Sequence, residues 1–253
     1  MELNKSPLEE IPLNEITVAG HRCHLFEPTQ PNPHGSTIVF LHDVDGAGLH
    51  HRAAYLDQFQ KHGLPCIAPI SGRSWWTERV WSGFDCAISA EQYVIEHVMD
   101  DVAQRWNSRP PHVAVLGIGM GGQAALRLAF KYPNRLPIAV AVAPALDYQL
   151  AYYDEEEMAL PAIYAEPEAA RQDTAILHVH PLNWPRNIWF AADPADDRWY
   201  SGAERLKMKL SALGIPHDAD LETGSSANYA ELMAPAAVSF AVERLDRERR
   251  RVS

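Results

Sequence analysis

The feature that most constrains this chain is a set of short, unbroken apolar runs alternating with amphipathic stretches. "STIVFLHD" (36–43), "HVAVLGIG" (112–119) and "PIAVAVAPAL" (137–146) lack the in–out alternation of a strand wetted on one face. Such runs belong to strands buried on both faces of a parallel sheet. "PCIAPI", "RNIWFAADP" and "PHDADLET" read as further strands, and "EITVAG" with "RCHLFEP" as an opening hairpin turned at Ala19–Gly20. Between them, "LHHRAAYLDQFQKHG" places Leu49, Ala53, Leu56 and Phe59 on one helix face and stops at Gly63. A second helix opens at Ser89 with Gln92 three residues on, a capping-box spacing, and carries Val94, Ile95, Val98 and Val102 as its stripe. "DRWYSGAERLKMKLSALG" and "ANYAELMAPAAVSFAVERLDRER" complete the helices. Strands alternating with helices through short loops predict an α/β fold, with a mostly parallel central sheet covered by helices on both faces.

The 253 residues, 47% of them hydrophobic, can bury one large core. No second core or low-complexity linker is visible, so a single domain over 1–253 is expected. Within it, residues 1–13 form a flexible N-terminus and 149–180, rich in Tyr, Glu and Pro, a lid-like insertion before the penultimate strand. A net charge of −11 argues against nucleic acid or an anionic membrane surface as partner. The polar, acidic start resembles no signal or transit peptide, and no run reaches the ~20 apolar residues that span a bilayer, so a cytoplasmic setting is expected. Cys23, Cys66 and Cys86 are odd in number and widely spaced, which suggests neither a disulfide framework nor a zinc site.

The chemistry should lie where the strand "HVAVLGIG" turns through "GIGMGG" into "QAAL". A strand turning sharply into a helix through G-x-S-x-G exposes a catalytic serine. Here Gly119 stands at the serine position. Together with the "FLHDVDGAG" loop, the aromatic "SWWTERVWSGF" loop, the "AADPADD" turn and the final strand-to-helix junction, this motif resembles the α/β-hydrolases of the esterase D type, which include S-formylglutathione hydrolases. The resemblance covers roughly residues 14–246. It implies a serine on the turn, a histidine to take its proton, an acid to orient the histidine, and two backbone N–H groups for the oxyanion.

Carried over residue by residue, the resemblance puts the nucleophile at Gly119, the acid at Asp196 and the histidine at Ser225, so two of three triad positions are substituted. No histidine lies beyond His217; His178 and His180 are the nearest alternative bases. The oxyanion donors are expected to be the N–H groups of Val44 and Met120. Asp43, where the family has glycine, either brings a carboxylate to that corner or turns away to cap the following turn. Trp75 and Trp76 either form an aromatic binding wall or pack their loop onto the sheet. His42, Asp43, Asp45, His50 and His51 cluster in sequence, but adjacent histidines do not share a helix face, and no metal or cofactor is expected. The expected function is that of a catalytically inactive esterase relative acting by small-molecule or protein binding. The alternative is an active carboxylester or thioester hydrolase with a relocated constellation. Oligomeric state is not encoded in any feature of the sequence.

Overall fold

The computed structural model describes residues 13–154, 157–224 and 228–252. Its eight strands form one sheet in the order β1-β2-β4-β3-β5-β6-β7-β8. They are β1 (Leu13–Val18), β2 (His21–Phe26), β3 (Thr37–Leu41), β4 (Cys66–Pro69), β5 (Val113–Ile118), β6 (Ile138–Val142), β7 (Asn187–Ala191) and β8 (Asp218–Asp220). The first two are the expected hairpin, joined by Ala19 (φ 46°) and Gly20 (φ 87°), with Val18 opposite His21. β2 pairs antiparallel with β4, and from β4 onward every pairing is parallel. In β3, β4, β5, β6 and β7 every residue is buried, which is why these segments read as unbroken apolar runs.

Helices cover both faces. α1 (Ala53–His62) and α5 (Ala234–Val252) pack on one side with Tyr55, Phe59, Val238 and Ala241. The helical run α2 (90–106), α3 (Met120–Lys131) and α4 (Tyr200–Ala212) cover the other. The Ser89 cap is present, its hydroxyl accepting the Gln92 N–H at 3.0 Å. α1 begins later than its apolar pattern suggests, because the chain first turns through His51 at φ 63°. The closing helix is broken: a short turn, Tyr229–Leu232, precedes α5. The described residues of the 149–180 region hold three short helices, Tyr148–Tyr152, Ala159–Ile163 and Pro167–Gln172, and a 3-10 turn, Ala175–His178.

That insertion is fastened to α3 by a buried ionic cluster. The Arg127 guanidinium is fully buried; its Nε donates to the Asp173 backbone oxygen (3.0 Å) and to Oδ1 (2.8 Å), and its terminal nitrogens pair with Asp173 and Glu91. Lys131 and Tyr132 complete the shell of Glu91, and Tyr164 and His178 that of Asp173. Burial alone would raise the Asp173 carboxyl, but the hydrogen bond from His178 and the charge of Arg127 outweigh it and hold it down to about 2. Removing one partner of such a cluster leaves buried charge uncompensated. Arg127→Met should therefore destabilise the fold by about 3–5 kcal/mol in urea unfolding. A loss within experimental error would show that the cluster does not tie the insertion down.

Candidate active-site cleft

β5 ends in a turn built from glycines. A Cβ on Gly121 would run into the backbone carbonyl of Leu41, so the start of α3 can lie against the end of β3 only without a side chain there. Gly119 itself has φ 55° and ψ −116°, a conformation that L side chains rarely adopt. Its N–H reaches Val142 O at 2.9 Å and its carbonyl accepts from Gln123 and Ala145, both at 3.0 Å, so the turn is pinned from both sides.

The space in front of Gly119 is filled from another loop. A Cβ at this position would overlap the carboxylate of Asp43, the second residue after β3. Asp43 Oδ1 accepts two backbone N–H bonds, from Val44 at 2.7 Å and Met120 at 2.9 Å. These are the two donors expected to hold an oxyanion, and Met120 also opens α3, whose dipole favours negative charge at that end. Asp43 therefore does not turn away: it bonds the N–H of the next residue and brings its carboxyl to the corner that the resemblance gives to an oxyanion. Burial pushes its carboxyl above the ordinary value, against the hydrogen bonds from Met120 and Val44.

His42 is wholly buried and has both ring nitrogens committed. Nδ1 donates to Asp43 O at 2.6 Å and Nε2 accepts the Ser71 N–H at 3.0 Å, which fixes a neutral tautomer, and burial lowers its pKa. It holds the backbone of Asp43 and has no lone pair left for a proton in the cleft.

The cleft encloses about 270 Å³ and is lined by Asp43, Gly119, Trp75, Asp196 and Trp199, among others. Trp75 is on its wall, held edge-on to Tyr148, whose hydroxyl donates to Trp75 O at 2.7 Å. Trp76 is fully buried and donates to His42 O at 3.3 Å. Both tryptophans have positive φ, 52° and 53°, an uncommon pair of strained backbones beside the cleft. Arg73 lies 3.6 Å from the buried carboxylate of Glu157, and Arg198 pairs with Asp154 while stacking 4.5 Å over Trp199. Arg73 and Arg198 were not singled out in the sequence, because their long side chains meet the carboxylates of the insertion only in the fold.

Asp196 is on the same cleft as Gly119, and its Oδ1 caps the N–H groups of Arg198 (3.0 Å) and Trp199 (3.1 Å). Asp193 is not among the described residues that line the cleft; its Oδ1 accepts the Ala195 N–H at 2.9 Å and lies 2.7 Å from where a Cβ on Gly224 would sit. Ser225 lies outside the described residues. No histidine is among the described residues that line the cleft. His178 is held by Asp173 at 2.9 Å, and His180 Nδ1 accepts the Leu182 N–H at 3.1 Å. Of the sequence cluster, Asp45 pairs with Arg52 at 2.9 Å. His50 instead lies with Glu15 and His24, three ligand-type side chains within 4.8 Å. His24 Nδ1 accepts the Leu49 N–H at 3.1 Å, so its proton is on Nε2, which therefore presents no lone pair to a cation.

A mostly parallel eight-stranded sheet in this order, with a strand–turn–helix at β5 facing a cleft at the strand ends, defines an α/β-hydrolase. The family model "Esterase: Putative esterase" matches residues 51–236, and the chain belongs to that family. Among solved structures, an S-formylglutathione hydrolase from Agrobacterium tumefaciens superposes with a TM-score of 0.73 at 15% identity, over 92% of this chain and 94% of that one. FphF, a fluorophosphonate-binding serine hydrolase of Staphylococcus aureus, gives 0.73 at 16% identity, over 91% and 99%. Mycobacterium tuberculosis MPT51 gives 0.67 at 15%, over 91% and 99%. The comparison with curated proteins returns no match. At these identities the superpositions establish the shared fold.

Two stability outcomes follow from the cleft. Gly119→Ala should cost about 1–3 kcal/mol of backbone strain and also displace Asp43. Part of that loss should vanish when Asp43→Gly is already present; strict additivity of the two in urea melts would contradict the contact. Because burial raises the Asp43 pKa, its stabilising contribution is complete below the ordinary carboxyl pKa and is lost as pH rises through the folded value. Asp43→Asn should therefore raise the urea midpoint at neutral pH, with the gain fading in acid; an equal gain at both pH values would point to another cause.

Proposed function

We propose that this member of the family has given up serine-based acyl transfer and that its cleft binds a small polar molecule. One observation carries the reading: the Asp43 carboxylate occupies both the space of a serine side chain and the two N–H groups of the oxyanion corner. An acyl substrate would have to develop its negative charge against the Asp43 carboxyl group, with the donors for that charge already taken. Losing a single oxyanion donor costs about 10²–10³ in kcat, and here both are engaged. The absence of any histidine beyond His217 removes the usual proton acceptor as well. The cleft is lined by two arginines, several carboxylates and the rings of Trp75 and Trp199, which suits a compact, polar molecule carrying charge of both signs.

Short-chain p-nitrophenyl esters and a fluorophosphonate label should leave the wild-type protein without turnover and without a covalent mark. Gly119→Ser alone should be inactive, and adding Ser225→His should not rescue it, because Asp43 still fills the site. The triple variant that also carries Asp43→Gly should be the first to hydrolyse an aryl ester, since the parts of such a machine act as a unit. Fluorophosphonate labelling of the wild type, or activity from Gly119→Ser alone, would overturn this reading.

A further inference from the structure

We propose that Asp43 is itself a nucleophile, directed at sp3 carbon, and that the cleft takes a small molecule in which a primary carbon bears an anionic leaving group. The proposal rests on the reading that serine chemistry is lost, and gives the substituted site a chemistry of its own.

The geometry points to this from three sides. Gly119 leaves open the place where a serine side chain would emerge, and the Asp43 carboxylate stands there, on the cleft. Its two oxygens differ. Oδ1 is held by Val44 N and Met120 N, whereas Oδ2 makes no hydrogen bond among the described residues. Locking Oδ1 fixes the lone pairs of Oδ2 in orientation, and partial burial strips water from them, both of which favour attack. Finally, Arg73 and Arg198 line the same cleft, where guanidinium groups would stabilise a departing anion.

The same arrangement selects the class of electrophile. Attack on an acyl carbon would create a second oxyanion, and the donors for it are already bound to Oδ1. Displacement at sp3 carbon creates none. Asp43 Oδ2 forms the new C–O bond, the bond from carbon to the leaving group breaks, and the leaving group departs with the electron pair; no proton moves. The product is an alkyl ester whose carbonyl oxygen is Oδ1, already seated between two N–H donors. Hydrolysis would require water to add at Cγ with a base to take its proton. No imidazole lines the cleft among the described residues, so the ester is expected to accumulate.

The test uses the full chain with its thiols first blocked by N-ethylmaleimide, since Cys86 is exposed and would compete. 4-Nitrobenzyl bromide is then added, and a fluorophosphonate is run in parallel. Peptide mapping should find one predominant benzyl ester, on Asp43, cleaved by alkaline hydroxylamine and lost in Asp43→Asn. Because the site is read directly on the wild-type protein, the result stands even if the variant folds poorly. An unmodified Asp43 peptide, or label scattered over surface carboxylates, overturns the proposal while leaving the proposed function intact. Fluorophosphonate labelling would instead strike at the reading beneath it.

Discussion

Two backbone N–H groups, one from the loop after β3 and one from the first turn of α3, converge on a single oxygen of Asp43. This pair of hydrogen bonds joins the two elements that define the cleft, and the other features of the site follow from it. The carboxylate needs room, and Gly119, which faces it, has no side chain. It needs its backbone held, so His42 is buried with Nδ1 on Asp43 O and Nε2 on Ser71 N. The loop that carries Ser71 continues into Trp75, on the cleft wall, and the fully buried Trp76, both at positive φ. In a site with this wiring, two backbone N–H donors that face the cleft are held by the protein's own carboxyl group.

Strain and stability are separated in space. The cleft holds a residue at positive φ with unusual ψ, two tryptophans at positive φ, and a carboxylate that burial disfavours. Beneath it, the Arg127 cluster links α3, the start of α2 and the insertion through buried ionic hydrogen bonds. Surroundings of that kind are what allow locally costly backbone conformations to persist.

Much of the fold was legible in the sequence. Strands buried on both faces show as unbroken apolar runs, and the turn at Ala19–Gly20, the Ser89 cap and the stop at Gly63 are local signals whose geometry the neighbouring residues dictate. The glycines around position 119 announce a close approach of strand and helix. The direction of the Asp43 side chain was not legible, because it depends on how two loops separated by more than seventy positions come together. Arg127 was overlooked although a trace exists: a lone arginine inside the otherwise apolar "QAALRLAF" needs buried partners, and Glu91 and Asp173 supply them. The placement of Arg73 and Arg198 left no trace at all, since exposed arginines on loops look alike in sequence.

The central claim, that Asp43 occupies the oxyanion corner, can be read from the amide protons that bond it. In an NMR pH titration, the Val44 and Met120 amide protons should move together, following one ionisation displaced above the ordinary carboxyl range, and neither should titrate in this way in Asp43→Asn. If the two amides are insensitive to pH, or follow different groups, the carboxylate is not where this account places it.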